Sequence, residues 1–340
     1  MQHQDGADRV DVSVLVPVRN ERADIEEVLA TMRAQQFDGS VEFLLVDGRS
    51  EDGTRDILDA VAAVDQRVRV LDNPGRTTPS ALNVGLRAAR GEFVARMDAH
   101  SYYPPAYVAK GVDRLRRGDV EWVSGPALPL PRGRVARLVS LALASRLGAG
   151  ASLKWGGDTE TEIDTGVFAG VWRRSTLERH GGWDEGWPAN QDSELAARVL
   201  GEGGRIVCLP ELAARYVPRN TVSGLARQYF RYGYYRAKTA RRHANSMRPS
   251  HLLPPGLILA GVGALLAPRR LRRLARAALT VYGGIVAVES VGVAKPERAS
   301  PAGLALVFAT MHSAFGVGFL SGCARFGLPL KALAHLAKRG

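Results

Sequence analysis

Four short apolar runs rich in β-branched residues, VSVLVPV (12–18), VEFLLVD (41–47), VRVLD (68–72) and EFVARMD (92–98), constrain this chain more than anything else in it. Such runs, with little polar alternation, predict strands buried on both faces, as in a parallel sheet covered by helices. The segments between them read as helices over 23–35, 53–64 and 79–89; EDGT makes a turn before the second, and TTPSALN gives the third an early proline. Strands alternating with helices predict an α/β fold, a mainly parallel sheet with right-handed crossovers. Two of the runs end in an acid, Asp47 and Asp98. Ligands of such sheets sit beyond the carboxyl ends of the strands, so both acids are expected to face one cleft.

Further along, 134–153 (RVARLVSLALASRLGAGASL) is amphipathic and reads either as a surface helix or as a helix lying at a membrane interface. A strand and turn follow in 165–177, a helix with a glycine stop in 190–204, a strand in RIVCLP, and a basic, aromatic helix in 223–244. Composition changes after Pro249. Segments 277–294 and 301–322 are close to the roughly 20 residues that span a bilayer, and their tandem placement predicts a transmembrane hairpin. Segment 251–268 is short and contains Pro-Pro. If it crossed from the cytoplasm, RRLRRLAR (269–276) would lie outside, against the positive-inside preference; an interfacial or re-entrant piece is expected instead. Glu289 and His312 fall within the expected spans, as functional candidates or as helix–helix hydrogen-bonding groups. The domains expected are a polar tail at 1–10, a catalytic domain at 11–248 and a membrane region at 249–340.

A net charge of +12 suits nucleic acid, phosphorylated small molecules or an anionic membrane surface. The arginines cluster beside apolar segments rather than on an aromatic strand platform, which favours anionic lipid and argues against nucleic acid. Cys208 and Cys323 have no metal-ligand spacing and are expected to be buried free thiols. The opening MQHQDGADRVDVS has no apolar h-region, so no secretory signal is expected.

The chemistry concentrates in MDAHSYYP. In an extended segment residues i and i+2 point the same way, so Asp98 and His100 can share a divalent cation. An N-capping Asp beside a surface His is the plainer alternative. Asp192, at the start of its helix, has a plain reading too, as an acid favoured by the helix dipole. Trp183 and Trp187, in GGWDEGWPANQ, read as acceptor contacts or as loop packing.

Over roughly 11–245 the chain resembles the family-two glycosyltransferases, of GT-A fold. VSVLVPVRNER resembles the family's opening strand, where Pro17, Asn20 and Glu21 border the nucleotide base. LLVDGRSEDGT resembles its second motif: Asp47 matches the base-contacting acid, while Gly48 and Arg49 replace the motif's second acid and glycine. NPGRTTPSALNVGLRAARGEF places Arg76 where a cation approaches phosphate. MDAHSYYP occupies the place of the D-x-D metal motif, with His100 for the second Asp, as in the membrane-anchored succinoglycan-type (ExoA-like) branch, which the tail MHSAFGVGFLSG also resembles. NQDSEL matches the E-D motif, with Asp192 as general base and Gln191 for Glu. RQYFRYG resembles Q-x-x-R-W through Gln228, Arg231 and Tyr232, Arg231 facing the diphosphate.

The resemblance implies an inverting hexosyltransferase that uses a divalent cation, Mn2+ or Mg2+. Its donor is a nucleotide sugar, UDP-linked by preference, and its acceptor lipid-linked or a membrane-bound glycan. A multi-pass protein of the inner or plasma membrane, with a cytoplasmic catalytic domain, is expected. Alternatives are a polyprenyl-phosphate glycosyltransferase, a sugar nucleotidyltransferase and a basic binding protein. VRNERADI lacks the glycine-rich phosphate loop that a nucleotidyltransferase carries after its first strand.

Overall fold

The structure is a computed structural model and describes residues 9–149, 158–164 and 169–338, with the side chain of Ala149 outside the description. The expected polar tail over 1–8, the end of the 134–153 segment and residues 165–168 of the expected strand lie outside the described residues. The chain packs as two compact units, 1–128 with 153–216, and 129–152 with 217–340. The first boundaries expected, at 248 and 249, thus differ from where packing divides the chain: 129–152 and 217–248 group with the C-terminal helices.

The first unit contains β1 (Val12–Val18), α1 (Ile25–Arg33), β2 (Val41–Asp47), α2 (Thr54–Val64), β3 (Val68–Asp72), α3 (Thr78–Ala88), β4 (Phe93–Arg96), β5 (Ser101–Tyr102), α4 (Tyr107–Arg116), β6 (Trp122–Ser124) and most of β7 (Ala127–Pro129). After α5 (Arg134–Ala144) and α6 (Arg146–Ala149), which belong to the second unit, it resumes with β8 (Thr161–Glu162), β9 (Gly170–Arg173), α7 (Arg174–Arg179), α8 (Gln191–Gly201), β10 (Ile206–Cys208) and β11 (Ala214–Tyr216).

Its main sheet has the order β3-β2-β1-β4-β9-β6-β10-β8. The β3-β2-β1-β4 half is parallel throughout, and β9 runs antiparallel between β4 and β6. Successive side chains of β1 go to opposite faces. Val12, Val14, Val16 and Val18 pack with α1 and α4 on one side, while Leu15 packs with α3 and α8 on the other. Two cores therefore sandwich the sheet, which is why its strands read as unbroken apolar runs. The strand after Glu92 stops at Arg96, earlier than the expected 98, because Asp98–Ser101 closes into a turn with Ser101 N–H donating to the Asp98 carbonyl at 3.1 Å.

The second unit is helical: α5 and α6, then α9 (Val222–Arg242), α10 (Leu253–Leu266), α11 (Arg269–Glu297), α12 (Pro301–Phe326) and α13 (Leu330–Ala337). The 134–149 stretch breaks at Ser145 into two helices, and α5 buries Ala136, Val139, Ala142 and Leu143. The arginine cluster 269–276 belongs to the same unbroken helix as the apolar 277–294. Three helical segments, 249–266, α11 and α12, are long and apolar enough to cross a membrane.

Candidate active site

Around the carboxyl ends of β1, β2 and β4 the chain builds a polar rim. Asp47, the last residue of β2, is buried and turned onto its own loop: the Ser50 hydroxyl donates to Asp47 Oδ1 at 2.6 Å, and Ser50 N–H reaches both oxygens at 3.3 Å. Asn20 sits in the left-handed region (φ 54°), which Asn tolerates. Its N–H donates to Ser50 Oγ at 2.9 Å and its Oδ1 accepts from Glu51 N–H at 2.9 Å. Glu21 N–H donates to Thr54 Oγ1 at 2.9 Å. Pro17 stands opposite Val46 in the β1–β2 ladder. These bonds lock the loop after β1 to the loop after β2, so Pro17, Asn20, Glu21 and Asp47 lie along one rim. Arg76, also at positive φ (55°), is half exposed and lies 3.8 Å from Glu51.

At the end of β4 the expected Asp98–His100 pairing gives way to another. Asp98 Oδ1 and Oδ2 accept from Arg96 Nε and Nη2 at 2.7 and 3.0 Å, and His100 Nδ1 lies 3.2 Å from Glu21 Oε1. The cause is the early strand end: the two-residue period holds between Arg96 and Asp98 but not through the turn to His100. Arg96 also donates through Nη1 to Asp192 Oδ1 at 2.6 Å. Its side chain is 4% exposed, against 8% for Asp98 and 18% for Asp192. One buried guanidinium thus joins the strand-end acid to the helix-start acid.

Burial works against the charge on Arg96, but Asp192 and Asp98 outweigh it and hold its pKa above the ordinary value. Burial pushes the Asp192 carboxyl up, with Arg96 opposing. Nearby, the Tyr103 hydroxyl accepts from Asp98 N–H at 2.7 Å, and burial followed by the Asp98 charge raises the phenol well above its usual pKa.

Asp192 lies in the first turn of α8, behind Asn190 at φ 61°. Glu194, wholly buried, forks onto Arg198, which donates on to the carbonyls of His180 and Gly182. That network fixes α8 against the loop carrying the two tryptophans. Trp183 and Trp187 are 1% and 4% exposed. Trp183 meets Trp172 edge-on at 5.6 Å, and its backbone exchanges hydrogen bonds with Asn83. Both rings are buried here, in keeping with the loop-packing reading of the two. The Trp183 indole nitrogen is buried without a partner at normal geometry, although it lies near enough to Asp192 to favour the ionised carboxylate.

Gln228, Arg231 and Tyr232 belong to the second unit, on α9. Gln228 Nε2 donates to Tyr232 Oη at 3.0 Å, one helical turn away, and Tyr232 is partly exposed.

Whether these residues fit a divalent cation turns on the donor set. Among the described residues no three His, Cys, Asp or Glu side chains converge. Cations that accompany a diphosphate do not need such a cage, since one or two side chains hold them and phosphate oxygens fill the remaining positions. Asp98 keeps about half of its four lone-pair positions after the Arg96 fork. His100 adds an imidazole that is 44% exposed. By type, one oxygen and one nitrogen ligand suit a cation that arrives with its donor, although here the turn sets Asp98 on Arg96 and His100 on Glu21.

This sheet, with its acids gathered at the strand ends, has the GT-A fold. The chain belongs to glycosyl transferase family 2 and is a glycosyltransferase: the profile of that description matches residues 13–129. It is 30% identical over 309 residues to the succinoglycan biosynthesis protein ExoA of Rhizobium meliloti, covering 90% of this chain and 93% of the relative. It is 32% identical over 111 residues to the undecaprenyl-phosphate 4-deoxy-4-formamido-L-arabinose transferase of Aeromonas hydrophila, covering 32% and 34% of the two chains. Its fold matches the mannosyltransferase PcManGT of Pyrobaculum calidifontis, solved with GDP-Man and Mn2+, at a TM-score of 0.60 and 22% identity over 92% of this chain and 87% of the other. Relatives thus act in polysaccharide biosynthesis and in undecaprenyl-phosphate sugar transfer.

Proposed function

We propose that the protein moves a sugar from a nucleotide-sugar donor, UDP-linked by preference, to a lipid-linked or membrane-bound acceptor during polysaccharide or glycolipid assembly, with inversion at the anomeric carbon. The observation that carries this reading is the Arg96 bridge, which brings Asp98 and Asp192 to one guanidinium. The rim of Pro17, Asn20, Glu21 and Asp47 takes the base, with Arg76 at its edge. The donor role of Gln228, Arg231 and Tyr232 rests on the likeness of RQYFRYG to the family motif.

Asp98 and His100 would hold a divalent cation, Mn2+ or Mg2+, which supplies Lewis-acid stabilisation of the diphosphate leaving group. Asp192 accepts the acceptor hydroxyl's proton as that oxygen attacks the anomeric carbon. The bond from that carbon to the diphosphate oxygen breaks, and its electron pair leaves with the diphosphate. Burial favours proton uptake by Asp192, and a positioned base contributes about 10²–10⁴-fold. A single base with no protein nucleophile gives one displacement and hence inversion. The likeness to an undecaprenyl-phosphate transferase favours a second reading, in which the acceptor is a polyprenyl phosphate and the product a lipid-phosphate sugar. A membrane location with the catalytic unit on the cytoplasmic face belongs to both.

The test is a nucleotide-sugar panel assayed with lipid acceptors, with and without Mn2+ or Mg2+, on the full chain and on Asp192→Asn. The variant should bind donor as the parent does and lose transfer by at least about 10²-fold. Full transfer by Asp192→Asn removes the base assignment.

A further inference from the structure

By length and apolarity alone α12 qualifies as a membrane span, the role expected for 301–322. Its neighbours within the helical unit say otherwise. Its most apolar stretch is 44% buried by protein, against 17% for α11. The covering comes from α5, α6 and α9 as well as from α10 and α11, whose Pro254 and Tyr282 meet Gly316 and His312. Near its start, Gly303 touches Leu138 of α5, and Arg137 of α5 donates to the Glu297 carbonyl at 2.7 Å. Midway, His312 Nε2 lies 3.1 Å from the Leu147 carbonyl of α6. From there α9 takes over: Gly233 lies against the Phe315 carbonyl, Gly318 against the Phe230 carbonyl and Gly322 against the Tyr234 carbonyl, none with room for a Cβ. At the far end Gly327 meets Arg241. The successive pairs 230–318 and 234–322 show that α9 and α12 run parallel, backbone against backbone.

α9 carries Arg227, Arg231, Arg236, Lys238, Arg241 and Arg242. A bilayer core is about 30 Å thick, so α12 cannot cross it without drawing α9, and with it most of these charges, into hydrocarbon. The part of α12 ahead of its α9 contacts, residues 301–314, is about 21 Å long at 1.5 Å per residue, too short to cross. The lipid-facing surface lies elsewhere. α10 and α11 form a hairpin, with Gly263 against Ala275 and Arg276 Nε donating to the Ala264 carbonyl at 3.3 Å. It exposes Leu259, Val262, Leu265, Val281, Ile285 and Val288, each at least half bare to solvent.

We propose that α12 does not cross the bilayer. It lies with α5 and α9 at the boundary between headgroups and acyl chains, the exposed apolar side chains of α10 and α11 face the acyl chains while the arginines of 269–276 stay at the headgroups, and residues 295–300 stay on the same face of the membrane as α9. The partner is the lipid bilayer itself; the proposal goes beyond the sugar-transfer reading and does not depend on it.

Thiol accessibility tests it. Ser223→Cys reports on α9 and Lys295→Cys on the α11–α12 connection, both exposed positions. The native Cys208 and Cys323 are buried, and the unsubstituted chain gives the background. Intact cells and inside-out vesicles are treated with a bulky membrane-impermeant maleimide, and full labelling is defined in detergent. Both reporters should label from one face and be protected from the other. Labelling from opposite faces overturns the proposal, as does a Lys295→Cys reporter reached only in detergent. Glu297→Cys repeats the measurement should Lys295→Cys fail to fold.

Discussion

Replacing Arg96 by Met keeps the bulk of a long side chain and removes the charge that joins two acids. In the native protein the guanidinium makes contacts of 2.7, 3.0 and 2.6 Å to carboxylates that are 8% and 18% exposed. The variant leaves both without that counter-charge. Breaking a buried pair by removing one partner costs about 3–5 kcal/mol, and two stranded acids put this case near the upper end. For domains of 150–250 residues each kcal/mol shifts the melting temperature by about 2–4 °C, so a fall of roughly 10–20 °C is expected. Arg96→Lys places one ammonium where a planar fork met two carboxylates, and should fall between the two. The assay is thermal unfolding of the full chain in lipid nanodiscs, alongside sugar transfer. Wherever Arg96→Met folds, kcat should fall more than KM rises, because it is Asp192 that loses its fixed position. A melting temperature within about 3 °C of the parent, with unchanged transfer, refutes the bridge as the organiser of this site.

Other consequences can be checked separately. Gly318→Ala puts a methyl group onto the Phe230 carbonyl, so α9 and α12 must part; overpacking of this kind costs about 1–3 kcal/mol and should appear as earlier loss of helical signal on heating. Arg67, with Arg33 assisting, holds the Asp65 carboxyl well below the usual carboxylate range. A lowered acid contributes stability that is present above its unfolded pKa of about 3.9 and lost as pH falls toward the folded value. Asp65→Asn should therefore be less stable than the parent at pH 7 and converge with it in acid titrations; a constant difference at all pH values contradicts the pairing.

Much of the sheet was legible because strands buried on two faces leave a dense apolar signature, and β1, β2 and β3 begin and end where their runs do. The antiparallel β9 was less so, since a four-residue strand carries no mark of its direction. Arg96 was missed although its signal was present: an arginine inside the otherwise apolar FVARM must be buried, and a buried guanidinium requires acids close by. Reading Asp98 forward to His100 rather than back to Arg96 depended on where the strand stopped, which a turn two residues on decides. The continuation of α11 through its arginines follows from arginine's good helix propensity and the lack of a breaker near 276. The covering of α12 could not be read from its own residues, because it depends on which helices lie beside them.

Three glycines set the fit of α9 on α12, and the notches they leave act on more than affinity. Sliding α9 by one residue, or rolling it about its axis, drives a carbonyl into a side chain at three points at once. Gln228, Arg231 and Tyr232 are thereby held at a fixed azimuth on a helix whose every movement α12 must share. A bilayer that pulls on α12 would turn those three side chains as one rigid piece, like the bit of a key.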